Sequence, residues 1–212
     1  MILDPVAYDG TVDLIVQSYS SDPTRPNYWS QPEVAAIRQT VKAHYIVQQL
    51  HRCCYCEQPI LSDNARMWDV EHIVPRSRRP EFMFEPRNLA VSCPDCNSAK
   101  SESETMFNPR LQRYPARSEA FKIVHPHFDE YSVHIARLGI VFMPLTDKGR
   151  WTLYHCNLLR YVQNHLNWQS PITDDRFEAE LDQLKLGGQN AADALAAILP
   201  RLVQGQRPNG IL

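Results

Sequence analysis

The spacing of apolar positions changes several times along the chain. Val34, Ile37, Val41, Tyr45 and Leu50 recur near the helical period. Ser30-Gln31-Pro32-Glu33 ahead of them has the form of a capping box with proline in the first turn. Together they predict a helix ending near Leu50. Residues 1–29 are instead rich in turn formers, among them Asp4-Pro5, Asp9-Gly10 and Asp22-Pro23. The apolar piece at residues 12–16 reads as a helical turn or a docking element, and Tyr28 and Trp29 as core or partner contacts. Asp69-Val70-Glu71-His72 alternates with period two, and Pro75 ends the run. A first strand is predicted at residues 66–70 and a second at 88–92. A short helix follows from Pro94, capped by Ser92 or Cys93.

Beyond residue 118 the pattern alternates again. Residues 131–137, 140–144 and 150–155 read as strands, with turns at Leu138-Gly139 and Asp147-Lys148-Gly149. Residues 157–168, 174–186 and 191–203 have helical periodicity, the last capped by Asn190. The tail, Arg207-Pro208-Asn209-Gly210, is expected to be mobile. The fold class predicted is α+β: a small hairpin-and-helix core after an N-terminal helix, followed by a small antiparallel sheet plus helices.

Composition narrows the setting. At 212 residues with 43% hydrophobic content, the chain is long enough to bury a core without covalent staples. No apolar run approaches a membrane span, and the N-terminus lacks the basic segment and apolar core of a secretory signal. A cytoplasmic protein with no membrane partner is expected. Net charge is -2, from 22 basic and 24 acidic residues, without the basic surplus common in nucleic-acid binders. Positive charge is local: Arg76, Arg78 and Arg79 follow the period-two run, and Arg110, Arg113 and Arg117 come later. These read as phosphate contacts or as solvated loops. The balanced total suggests weak DNA affinity for the isolated chain and a partner that delivers substrate.

The cysteines carry the most specific signal. Cys53 and Cys56 form one C-x2-C pair and Cys93 and Cys96 another, separated by 36 residues. Four soft thiolates suit tetrahedral Zn2+. The gap leaves room for a hairpin and a loop. A disulfide framework fits poorly, because the adjacent Cys53 and Cys54 do not resemble a small secreted scaffold.

Other ligand types lie between these pairs. A histidine at a strand end beside a carboxylate, as in Glu71-His72, can accept a proton from water. A carboxylate and an amide oxygen can hold a hard ion such as Mg2+. Asn97 directly follows Cys96 at the start of the predicted helix. Consecutive helical residues point about 100° apart, so the Cys96 thiolate can face zinc while Asn97 faces the strand end. His44 and His51 on the N-terminal helix read as ordinary exposed or core residues. His125 and His127, in His125-Pro126-His127, read as a turn or as a second metal site.

At residues 53–100 the chain resembles the HNH endonucleases, the ββα-metal nuclease fold, and among them the variants with a zinc clamp beside the active site. The resemblance implies that His72 activates water and that Glu71 is a metal ligand. It implies that Asn88 tethers the loop carrying the histidine, that Asn97 is the other metal ligand, and that Lys100 lies near phosphate; Arg76 and Arg78 are phosphate-binding candidates from local charge alone. Asp69 sits where some members carry a second acid. Glu71 stands where Asp or His is common, and Asn97 where the family name has His. The order of parts also resembles bacterial anti-phage HNH proteins of the Septu type, in which the nuclease works beside an ATPase.

The expected organisation is an N-terminal arm and helix at 1–52, the nuclease core at 53–105 and an accessory region at 106–212. The expected activity is hydrolysis of DNA phosphodiester bonds with structural Zn2+ and catalytic Mg2+ or another divalent ion. The alternatives are a non-catalytic zinc module binding nucleic acid or protein, and an RNA-cleaving nuclease.

Overall fold

The computed structural model describes residues 2–20, 26–62, 64–168, 182–183, 188–194 and 196–197. The chain divides into two compact units, Met1–Tyr131 and Ser132–Leu212. Among the described residues, no helix is long and apolar enough to cross a membrane.

In the first unit, Gly10–Ser20 is a helix (α1), so the apolar piece near residues 12–16 belongs to a full helix. The predicted second helix forms at Ala35–Gln48 (α2), after a 3-10 turn at Pro32–Val34. The capping box does not: neither Gln31 nor Val34, the residues at those two helix starts, makes a side-chain cap bond. Val34, Ile37, Val41 and Tyr45 are fully buried, which is the stripe the period announced.

The hairpin pairs Asp69–His72 (β1) with Leu89–Ser92 (β2), antiparallel, with Glu71 opposite Ala90 and His72 opposite Leu89. The first strand therefore starts later than predicted. Residues Ala65–Met67 form a 3-10 turn instead. Pro94–Lys100 (α3) follows β2 at once. Cys93 is its N-cap, its sulfur accepting from the Cys96 amide. The helix ends at Ser101, whose φ of 46° takes the chain out of the right-handed region.

The outer edge of β2 is closed without a third strand. Gln49, just past α2, accepts from Val91 N at 2.8 Å and donates to Val91 O at 2.7 Å. The Cys54 amide also donates to Val91 O, at 3.1 Å. One buried amide side chain thus gives Val91 N an acceptor and Val91 O a second donor. Phe82, Met83 and Phe84 fill the core beneath the loop between the strands.

The second unit is built on Ile135–Leu138 (β3) and Val141–Pro144 (β4), an antiparallel pair entered from one helical turn at Tyr131–His134 (α4). The third predicted strand is wrong. Residues Asp147–His155 are a helix (α5), capped by the Thr146 hydroxyl, which accepts from Gly149 N at 3.2 Å. The buried positions are Gly149, Thr152, Leu153 and Cys156, a helical spacing. The run 150–155 was too short for its alternation to exclude that period. The expected turn at 147–149 is the first turn of this helix. Gly149 is required there, because a Cβ would lie 1.9 Å from His134 O. Arg160–Trp168 (α6) matches the next predicted helix. The tail, and most of the helices expected at 174–186 and 191–203, lie outside the described residues.

Candidate active site and metal centre

The four-cysteine clamp assembles from two turns. After α2, Leu50 and His51 adopt positive φ values of 49° and 56°, breaking the helix and starting the knuckle. The Glu57 amide then donates to Cys53 O at 2.9 Å and closes it. That turn brings Cys53 and Cys56 together, and the start of α3 brings Cys93 and Cys96. All four sulfurs lie within 4.8 Å of one another. Tetrahedral Zn–S bonds of about 2.3 Å place sulfurs ~3.8 Å apart, so the donor set suits an ion such as zinc. None of the six cysteines is joined in a disulfide.

The thiols report the same need. Burial pushes Cys53 well above its usual range, and the facing Cys53 thiol is the largest influence pushing Cys93 and Cys96 up. Four sulfurs packed this closely cannot ionise together without a cation among them. Backbone amides already point at two of them: Tyr55 N at 3.5 Å from Cys53 Sγ and Cys96 N at 3.4 Å from Cys93 Sγ. Among the described residues, these four make the one group of three or more Cys, His, Asp or Glu placed to hold an ion.

The end of β1 lies against a cleft bordered by Val70, Glu71, His72, Arg76, Asn97 and Lys100. His72 is buried, and its Nε2 lies 3.0 Å from Met83 O. A carbonyl can only accept, so Nε2 carries the proton and Nδ1 the lone pair. Nδ1 is buried and has no hydrogen-bond partner. Burial, then the Arg76 guanidinium, hold the His72 pKa down to about 3, so the ring is neutral at pH 7. The edge of Trp29 packs against it, ring centres 4.5 Å apart.

Glu71 is 1% exposed and asymmetric. Its Oε1 accepts from Tyr55 at 3.2 Å and pairs with the Lys100 ammonium at 2.6 Å. Its Oε2 is buried without a partner. Burial raises this carboxyl above its usual range, and Lys100 and Tyr55 pull it back. Asn97 donates to Asp69 Oδ2 at 2.9 Å, tying α3 to the start of β1. Asn88 is fully buried. It accepts from Val74 N at 2.7 Å and donates to Val74 O at 3.1 Å and Phe82 O at 2.9 Å.

The basic residues separate in space. Arg76 is half-buried at the cleft. Arg78 is exposed, its Nε donating to Glu102 O. Arg79 is buried and pairs with Glu81 at 2.6 Å while donating to Pro109 O and Leu111 O, so it holds a loop. Lys100 is turned inward: besides Glu71, it donates to His72 O at 3.1 Å and Ser101 O at 3.4 Å, which uses its three protons. Arg110, Arg113 and Arg117 are exposed and do not border this cleft.

His125 and His127 are buried in the core. His125 Nδ1 accepts from His127 N at 3.2 Å, and its Nε2 lies 2.8 Å from the Tyr114 hydroxyl. His127 bridges to Leu3 O and Leu89 O. Both rings are engaged in packing and hydrogen bonds. His44 bonds Asp4 O at 2.9 Å. Two residues beside the site went unrecognised in the sequence. From the sequence Trp29 reads equally as a core or a partner contact, and Tyr55 carries no signal beyond its place between two cysteines.

Comparison with known proteins agrees with this geometry. Residues 53–103 match the HNH endonuclease family. Over 121 residues, 56% of its length, the chain is 26% identical to the Septu protein PtuB of Bacillus thuringiensis. It spans 42% of that protein, less than half. No solved structure matches the chain. With one cysteine pair before the hairpin and the other at the start of α3, residues 53–103 match the HNH endonuclease family, in a chain similar to a Septu protein.

Proposed function

We propose that this protein is a metal-dependent endonuclease that hydrolyses DNA phosphodiester bonds, the effector of a bacterial anti-phage complex with an ATPase partner. One observation carries the chemistry. Two buried acceptors without partners, His72 Nδ1 and Glu71 Oε2, belong to adjacent residues at one strand end beside one cleft. Buried polar atoms are nearly always satisfied, so two left open beside one cleft support a ligand there.

In this reading, zinc on the four cysteines stays outside the reaction and pins α3. Glu71 and Asn97 would hold a divalent ion, which when bound would supply Lewis-acid stabilisation of the phosphate and the leaving oxygen. Asn97 would offer its amide oxygen, since its NH2 is engaged by Asp69. His72, neutral and fixed by Met83 O, takes the proton from the attacking water at Nδ1. Arg76, at the cleft, is the residue we assign to the phosphate. A phosphate there would offset the Arg76 charge, the smaller of the two main influences lowering the His72 pKa, while burial, the larger, remains. Asn88 holds Val74, two residues beyond His72, so the ring returns to one position.

The chain's small negative charge and the similarity to a Septu protein support a partner that presents the substrate. The test is plasmid nicking by zinc-loaded protein with Mg2+ or Mn2+, alone and with a neighbouring ATPase. Cleavage that needs the added ion and disappears in His72→Ala, with zinc retained, supports the reading. Cleavage retained in His72→Ala removes His72 from its role, and activity on RNA but not DNA replaces the substrate.

A further inference from the structure

The first knuckle and α3 each send one side chain to the same atom. Tyr55 lies between the ligands Cys53 and Cys56, and its hydroxyl reaches Glu71 Oε1 at 3.2 Å. Lys100 lies one helical turn after Cys96, and its ammonium reaches the same oxygen at 2.6 Å. Tyr55 is itself held from behind, because Tyr131 donates to its backbone carbonyl at 2.9 Å. The other oxygen, Oε2, receives nothing. Both donors are buried, so neither position is left to a mobile surface chain.

We infer that Tyr55 and Lys100 are positioning residues: they hold Glu71 by Oε1 so that it offers a divalent cation one oxygen only, Oε2. This rests on the nuclease reading for the purpose of the ion, but not for its binding. Two donors on one carboxylate oxygen remove the rotation that would turn both oxygens toward an ion. The grip also explains the inward lysine. A buried carboxylate needs a positive partner when no ion is bound, and Lys100 supplies it. Because the two donors ride on opposite halves of the zinc clamp, zinc occupancy sets the geometry of Glu71 as well as the fold of α3. A zinc-free chain therefore loses ion affinity at Glu71 even where the hairpin survives.

Mn2+ is the probe, titrated calorimetrically into the zinc-loaded full chain and into Glu71→Ala, Tyr55→Phe and Lys100→Met. Wild type binds and Glu71→Ala does not. Tyr55→Phe is expected to keep its zinc and to weaken Mn2+ binding by about 10- to 100-fold, the usual effect of losing a group that orients a ligand. Zinc-loaded Tyr55→Phe with wild-type affinity overturns the inference. Should Tyr55→Phe fail to hold zinc, Lys100→Met carries the test. Its melting temperature falls because the buried carboxylate loses its cation, and its Mn2+ affinity falls as that of Tyr55→Phe does. Zinc-loaded Lys100→Met with wild-type Mn2+ affinity overturns the inference. Mn2+ binding that depends on Glu71 and Tyr55 in a protein that cuts no nucleic acid sinks the nuclease reading and leaves this one standing. No Mn2+ binding by wild type overturns it.

Discussion

Asn88 and Val74 hold each other through both peptide groups of one residue: Asn88 Oδ1 accepts from Val74 N at 2.7 Å, and Asn88 Nδ2 donates to Val74 O at 3.1 Å. Asn88 immediately precedes β2, and Val74 is two residues past the end of β1. The amide spans the loop end of the hairpin, just past the last strand pair, His72 with Leu89. Asn88→Ala leaves Val74 N, Val74 O and Phe82 O buried without that partner. A loss of about 3 kcal/mol is expected in urea unfolding. Nicking activity should fall further than the folded fraction does, because the loop beside His72 is released.

Removing the zinc ion should unfold the core rather than merely inactivate it. Cys96→Ser replaces a buried thiolate with a poor zinc ligand, and α3 loses its anchor to the knuckle. The expected outcome is loss of about one equivalent of zinc and of the cooperative thermal transition in the first unit. A variant that keeps a sharp transition without metal shows that the thiols are not a structural site.

Stability should fall in mild acid through His127. Burial, the largest influence, holds its folded pKa below the ordinary value, while the Leu89 and Leu3 carbonyls pull the other way. In the unfolded chain it titrates near ~6.5. Above that pH neither state takes the proton and stability is at its full value. As pH falls from there toward the depressed folded value, the unfolded state binds the proton first and stability declines, by at most about 1.4 kcal/mol per pH unit. Urea midpoints at several pH values, compared with His127→Gln, isolate this part: the variant should lose less stability between pH 7 and 5.

Arg76 and Arg79, three residues apart, should behave differently. Arg76→Gln is expected to weaken substrate binding and flatten its salt dependence, with little change in melting temperature. Arg79→Met should lower stability by about 3 kcal/mol, since Pro109 O, Leu111 O and Glu81 lose a buried partner. Equal effects on binding and melting would erase that distinction.

Gly149→Ala tests the second unit by itself. A Cβ at 1.9 Å from His134 O cannot be accommodated without moving the backbone. A loss of about 2–3 kcal/mol in that unit is expected, with zinc content unchanged. Fluorescence of Trp151, on α5, follows the first effect, and elemental analysis the second.

Local spacing made part of this protein legible from its residues alone. Two C-x2-C pairs announced a metal clamp, and the four sulfurs do converge. The stripe from Val34 to Tyr45 announced α2, and the period-two run before Pro75 announced the hairpin, because 3.6- and 2-residue repeats follow directly from backbone geometry. Where a run was short, the same logic failed: residues 150–155 alternate by chance, and burial of Gly149, Thr152, Leu153 and Cys156 made them helical. What tertiary structure decided was direction. That Lys100 turns inward, that Tyr55 reaches Glu71, and that Trp29 packs on His72 depend on contacts between residues 16 to 43 positions apart. Such contacts leave no period in the chain, since each is set by which surfaces the core brings together.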